Sequence, residues 1–309
     1  MKKLAILGWL GHKNFGDELF IQAYNELFKG WEINVYSDSP KAAYPLIDFD
    51  EVNKCDLFAL GGGELINMDR LFISGSWAPK ISIPKIILGC GVNAEKYSQI
   101  SMTVLRELES YKFIGLRDYQ SVNILSENSQ LQRKVGLFHD LAFSIDTSAI
   151  QRKTPEERIA VVIPTDRFSN KSDKGIKQYH LADKSLKWLK HSAFYFDRVV
   201  FLAFGEEDNS DYDTCLKLSK HVPNKSTIIS DCGKNKALML EAIANATSVY
   251  TYRLHGLILA KIFEKPYAFY PYHWKLGRMN QTLNGCSPEL IGLWQREYLA
   301  KVLGDLGFS

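Results

Sequence analysis

Short apolar runs rich in β-branched and aromatic residues alternate with helical patterns along this chain, and that alternation restricts the fold more than any other feature. The spacing predicts strands at Leu4–Trp9, Glu32–Tyr36, Asp56–Leu60, Lys85–Cys90, Phe113–Leu116 and Val135–Phe138. A second series covers Ile159–Pro164, Arg198–Phe204, Ser226–Ile229, Val249–Tyr252 and Tyr267–Tyr270. Helices are predicted at Asp17–Phe28, Gln99–Ser110, Tyr119–Ser126, Lys174–His191, Ser210–His221, Lys234–Asn245, Gly256–Glu264 and Pro288–Leu306. Strands without polar alternation, each followed by a helix, imply parallel sheets covered on both faces, an α/β fold. The polar, proline-bearing stretch at Asp146–Glu157 interrupts the series, which then restarts. With 309 residues, the chain divides into two Rossmann-like domains, 1–150 and 151–309, facing a cleft, with the last helix able to cross back.

Composition narrows the class. Apolar content of 46% and charged content of 24% suit a soluble globular protein, and a net charge of +3 is too small to imply nucleic-acid binding. The five cysteines are odd in number and form no CxxC pair, which argues for a reducing, cytoplasmic setting. The apolar stretch at the N-terminus is short and reads as a first strand, not a signal peptide. No run approaches the roughly 20 residues of a membrane span, so any membrane contact would be peripheral.

The loops after the strands carry the chemistry. Arg253-Leu254-His255 follows one strand and opens the next helix, placing a fixed cation and a titratable imidazole where open α/β sheets bind ligands. A helix N-terminus there also favours an anion. The first loop, with Gly11, Asn14, Gly16 and the capping-type Asp17, reads as a substrate loop or as a tight turn. It lacks the GxGxxG spacing of a dinucleotide site. Gly61-Gly62-Gly63-Glu64 follows another strand; consecutive glycines suit close approach of the backbone to a ligand or to another segment, and Glu64 is a candidate hydroxyl acceptor or base. Arg117 ends a strand as a candidate carboxylate or phosphate ligand, and Asp118 reads as a helix cap. His139-Asp140-Leu141-Ala142 lines the next strand end. Tyr272, Lys275 and Arg278, in what reads as a basic aromatic loop, could serve a sugar and a phosphate. Asp211-Tyr212-Asp213 reads as a solvated helix face. P-loop, zincin, serine-hydrolase and paired-cysteine signatures are missing, and no metal site is predicted.

Taken in order, Asn14-Phe15-Gly16-Asp17-Glu18, Gly61-Gly62-Gly63-Glu64, Leu116-Arg117-Asp118 with Ser121, Asp140-Leu141-Ala142, Arg253-Leu254-His255 with Ala260, and Tyr272–Lys275–Gly277 resemble the polysaccharide pyruvyltransferase family over nearly the whole chain. The resemblance implies a glycosyltransferase-B-like pair of Rossmann-like domains. It implies transfer of pyruvate from phosphoenolpyruvate, as co-substrate and without a cofactor, onto two hydroxyls of a sugar. The product is a cyclic ketal in a surface polysaccharide or its precursor, free or lipid-linked, made in the cytoplasm, either away from the membrane or at its inner face. Under it, Arg117, Arg253, Lys275 and Arg278 hold the donor's anionic groups, His255 moves a proton or binds phosphate, and Asp17 and Glu64 act on the acceptor. Two other readings stay open: a nucleotide-sugar-dependent glycosyltransferase of the same fold, and a non-catalytic sugar-binding protein.

Overall fold

The structure is a computed structural model that describes residues 1–67, 71, 78–93, 100–153, 156–165, 187–189, 191–205, 210–270 and 274–308. Its contacts separate two compact units. The first comprises Met1–His12, Asp17–Asp146 and Gln281–Ser309; the second comprises Lys13–Gly16 and Thr147–Asn280. The units change over at 146/147 where the sequence division has 150/151, and they differ from it in two further places. A four-residue piece of the first loop groups with the second unit, and the C-terminal residues group with the first.

The first unit is built on a parallel sheet. Its strands are β1 (Lys3–Leu7), β2 (Glu32–Tyr36), β3 (Leu57–Gly61), β5 (Lys85–Cys90), β7 (Phe113–Leu116) and β8 (Val135–Leu137), in the order β2-β1-β3-β5-β7-β8. A two-strand parallel accessory pairs β4 (Ile66–Asn67) with β6 (Val92–Asn93). The inner strands β3 and β5 are buried at every position, as a sheet covered on both faces requires. The chain moves from β1 outward to β2, then returns to place β3 on the other side of β1. The loops leaving β1 and β3 thus diverge at the carboxyl edge, which is the switch point where such sheets bind ligands. Both glycine loops picked out in the sequence leave these two strands.

The second unit repeats the logic. Its strands β9 (Ile159–Ile163), β10 (Arg198–Leu202), β11 (Ser226–Ile229), β12 (Ser248–Thr251) and β13 (Tyr267–Phe269) form a parallel sheet in the order β11-β10-β9-β12-β13. The switch point lies between β9 and β12, whose register pairs Thr251 with Ile163. Arg253 and His255 follow β12 directly.

Helices fill the faces: α1 (Phe15–Leu27), α2 (Phe49–Val52), α3 (Met102–Glu109), α4 (Tyr119–Ser126), α5 (Ser210–Ser219), α6 (Cys232–Ala244), α7 (Leu254–Ile262), α8 (Trp274–Thr282) and α9 (Pro288–Asp305). Helix α8 replaces the loop expected there: Leu276, Met279 and Leu283 are buried at helical spacing. The helix predicted at Lys174–His191 lies outside the described residues apart from 187–189 and 191. Helix α9 is tied to the first unit by Gln295, which is fully buried. Its amide nitrogen donates to the carbonyls of Phe138 (2.7 Å) and Asp140 (3.0 Å), and its oxygen accepts from the Ser144 hydroxyl (2.7 Å). Trp294 and Tyr298 of the same helix pack on Phe138. All five cysteines are free thiols. Among the described residues, no helix is long and apolar enough to cross a membrane.

Candidate active site

In the second unit, β12 ends at Thr251 and α7 begins at Leu254, so Arg253 takes the N-cap position with extended backbone. The Thr251 hydroxyl brackets it, accepting the Arg253 N–H and donating to the Arg253 carbonyl, both at 2.9 Å. Gly256 makes this turn possible: a side chain there would begin 2.2 Å from the Thr251 hydroxyl. The Arg253 guanidinium donates to Asp211, the first-turn carboxylate of α5, and Asp211 also accepts the Gly205 N–H at 2.8 Å. Asp211 is fully buried. The expectation of a solvated Asp211-Tyr212-Asp213 face is therefore corrected: Tyr212 and Asp213 are exposed, but Asp211 is an interior ion-pair partner. The pair spans 42 residues of sequence, and an acidic residue in a first helical turn is already accounted for by the helix dipole, so nothing local marked it.

His255 sits in the first turn of α7, 9% exposed. Its imidazole lies against Gly16, where a Cβ would fall 1.8 Å from Nδ1. The segment carrying Gly16 is fixed to the same unit: Asn14 bridges Gly205, the Phe15 N–H donates to the Phe204 carbonyl at 2.8 Å, and the two phenyl rings pack with centroids 4.4 Å apart. Asn14 and Gly16 thus occur in the structure as the seat of His255 and its neighbours. Lys275 and Arg278 lie on α8 of this unit, partly buried, with the Arg278 guanidinium 3.7 Å over the Trp274 ring. Tyr272 lies outside the described residues.

The first unit gathers the other candidates at its switch point. Gly11 has φ +79°, and its N–H donates to Glu18 at 2.8 Å. The Gly61–Gly63 loop is shaped by helix α1: a Cβ on Gly61 would meet the Tyr24 hydroxyl at 2.1 Å, and one on Gly62 would meet the Phe20 ring at 2.1 Å. Of the two reasons for consecutive glycines, close approach of another segment thus accounts for Gly61 and Gly62. Gly62 and Gly63 also have positive φ. Asp17 is buried, with a carboxylate oxygen 3.6 Å from the position a Gly63 Cβ would take.

Arg117 is buried, its side chain 3% exposed, with Glu64 at 3.4 Å and both Asp118 and Asp140 at 3.9 Å. Gly91 leaves the guanidinium its room, since a Cβ there would lie 2.6 Å from Nε. Asp118 caps α4 through the Ser121 N–H. By sequence, Arg117 reads as a ligand for a donor anion and Glu64 as a base. The structure joins them in one ion pair, and burial leaves the Arg117 cation facing carboxylates. Behind it, burial pushes the Cys90 thiol up to about 12 despite Arg117, so that thiol stays protonated at neutral pH.

Known structures share this fold at low identity. A UDP co-structure of MnaA from S. aureus is 12% identical with TM-score 0.59, covering 100% of this chain and 98% of its own. A putative UDP-N-acetylglucosamine 2-epimerase from Listeria monocytogenes is 8% identical with TM-score 0.62 over the same shares. UDP-GlcNAc 2-epimerase from Neisseria meningitidis, bound to UDP-GlcNAc, is 11% identical with TM-score 0.57, covering 99% of this chain and 100% of its own. The fold is accordingly of the glycosyltransferase-B type, with two Rossmann-like domains. No curated protein matches the chain. The polysaccharide pyruvyl transferase family model matches residues 14–273, from the Asn14 that bridges Gly205 to beyond the Arg253–His255 turn, and on that match the chain belongs to the polysaccharide pyruvyl transferase family.

Proposed function

We propose that this protein transfers pyruvate from phosphoenolpyruvate onto two hydroxyls of a saccharide, forming a cyclic ketal and releasing phosphate. The observation that carries the reading is the second unit's switch point, where an anchored arginine and a seated histidine share one strand-to-helix turn. The donor bears a phosphate and a carboxylate, which suit the planar fork of Arg253 and the helix N-terminus beneath it. Lys275 and Arg278 are further cations for the same groups.

The chemistry needs two additions at C2 of the donor. As the first hydroxyl oxygen adds to C2, C3 takes a proton and the methylene becomes a methyl group. As the second hydroxyl oxygen adds to C2, the C2–O bond to phosphate breaks. Both hydroxyl protons are released; a net one ends on C3 and the other leaves with phosphate. An imidazole suits the proton transfer to C3 or to the departing phosphate, and we assign it to His255. Asp17 and Glu64 are assigned to the acceptor hydroxyls, with Arg117 holding Glu64 in place. The acceptor is a sugar unit of a surface polysaccharide or its precursor, and the reaction is placed in the cytoplasm.

The test is acceptor-dependent phosphate release from phosphoenolpyruvate by the purified protein across a panel of diol-bearing saccharides. His255→Ala should lower turnover by about 10²–10⁴-fold while the thermal midpoint holds. No release with any acceptor, together with no binding of phosphoenolpyruvate, would sink the proposal. Stabilisation by UDP instead would favour the nucleotide-sugar transferase reading, since the similar structures named above include one with UDP and one with UDP-GlcNAc.

A further inference from the structure

Asp211 is a fully buried carboxylate, and a buried charge is strongly unfavourable unless it is paired and hydrogen-bonded. Its two oxygens serve two different segments. Oδ1 accepts from the Arg253 guanidinium, and Oδ2 accepts the Gly205 N–H at 2.8 Å. Gly205 is squeezed between both partners: a Cβ there would lie 2.9 Å from Arg253 Nη2 and 3.2 Å from Asp211 Oδ2. On its other side Gly205 bridges Asn14, two residues before the Gly16 that seats His255. One carboxylate therefore connects the orientation of Arg253 to the segment that fixes His255.

We infer that Asp211 is a positioning residue: its charge-assisted hydrogen bond aims the Arg253 guanidinium at the donor's anionic groups, and its bond to Gly205 keeps the 14–16 segment in register beneath His255. The inference rests on the proposal that Arg253 binds the donor. A guanidinium without its partner samples several rotamers, so its fork meets the donor less often and binding weakens before chemistry does.

The experiment is a double-mutant cycle on kcat and on KM for phosphoenolpyruvate with Asp211→Asn, Arg253→Ala and the double variant, each checked by thermal unfolding. Asp211→Asn keeps the shape and an oxygen for Gly205 but loses the charge. Its KM should rise about tenfold or more, the loss of one charged hydrogen bond, with a smaller fall in kcat. The double variant should be no worse than Arg253→Ala alone, because Asp211 acts through Arg253. Asp211→Glu, which restores the carboxylate, should recover part of the KM. Gly205→Ala is the second probe: it keeps the Asp211 charge but crowds both Nη2 and Oδ2 of the pair, and should give the same KM-weighted loss if Asp211→Asn fails to fold. An unchanged KM in the folded variants, or losses that add in the double variant, would overturn the inference while wild-type turnover keeps the donor reading intact. A wild-type protein with no turnover of phosphoenolpyruvate overturns the donor reading and this inference together.

Discussion

Gly16 carries no chemistry of its own, yet the site depends on what it lacks. A methyl group there would fall 1.8 Å from Nδ1 and 2.1 Å from Cγ of His255, so the ring or the start of α7 must move. Overpacking of this kind costs about 1–3 kcal/mol in stability. A displacement of about 1 Å at a catalytic group costs about 10²-fold in rate. Gly16→Ala is therefore expected to stay folded and to lose turnover by about 10²-fold, read from phosphate release beside a thermal melt. Normal turnover would show that His255 needs no such seat. His139 makes a second residue-level prediction. It holds a left-handed backbone (φ +61°) after β8, its ring edge-on to Trp294, and burial pushes its imidazole from the ordinary 6.5 down to about 4 although Asp140 pulls the other way. The folded form thus resists a proton that the unfolded chain accepts. The contribution of His139 to stability is therefore expected to be complete above about pH 6.5 and to be lost as the pH drops toward about 4, by roughly 3 kcal/mol at most. Asn tolerates the same backbone without titrating, so His139→Asn should flatten that slope in urea midpoints measured between pH 4 and 6.5. Gly16 and His255 stand out in the sequence because each lies in the opening turn of a helix that follows a strand. Asp211 was not, because its meaning depends on a partner 42 residues away.

Strand positions were the most legible elements, and the reason is physical. In parallel sheets covered on both faces, strands read as unbroken apolar runs such as Ile159–Ile163, and their bounds came within a residue or two of the structure. Helix α8 was missed because Tyr270–Arg278 draws attention to its aromatic and basic residues, while the stripe of Leu276, Met279 and Leu283 was there to be counted. Helix α9 was legible as a helix, but its attachment was not. That attachment runs through Gln295, whose three hydrogen bonds lie in the interior against Phe138, Asp140 and Ser144. Gln295→Leu would leave two carbonyls and a hydroxyl without this partner, at a cost of about 1–3 kcal/mol. Gln295→Glu should cost more, since it faces two carbonyl oxygens with a buried negative charge. Urea unfolding of the two variants checks both the magnitude and the order. Equal midpoints with wild type would mean that the aromatic packing of Trp294 and Tyr298 alone docks the helix.

At the scale of the whole molecule, the fold is common property and the chemistry is local. Structures only 8–12% identical superpose over essentially the full chain, and those named here are epimerases or UDP complexes. Two parallel sheets, each with a switch point, form a frame that accepts many anionic donors. Under the proposed function, donor choice would reside in the loops after the strands, where this chain carries the Arg253-Leu254-His255 turn and, within the family match at residues 14–273, the Asn14–Gly16 seat. A ligand that binds only the folded state raises its stability by mass action, by about 2.7 kcal/mol at a hundredfold excess over the dissociation constant. Phosphoenolpyruvate is therefore expected to raise the thermal midpoint of the wild-type protein in a dose-dependent way, with UDP giving no shift at the same concentrations. Under the proposed function, in which the arginine binds the donor and the histidine acts on it, Arg253→Ala should lose most of the phosphoenolpyruvate shift, while His255→Ala should keep it. A shift with UDP that Arg253→Ala removes, and none with phosphoenolpyruvate, would assign the same turn to a nucleotide diphosphate.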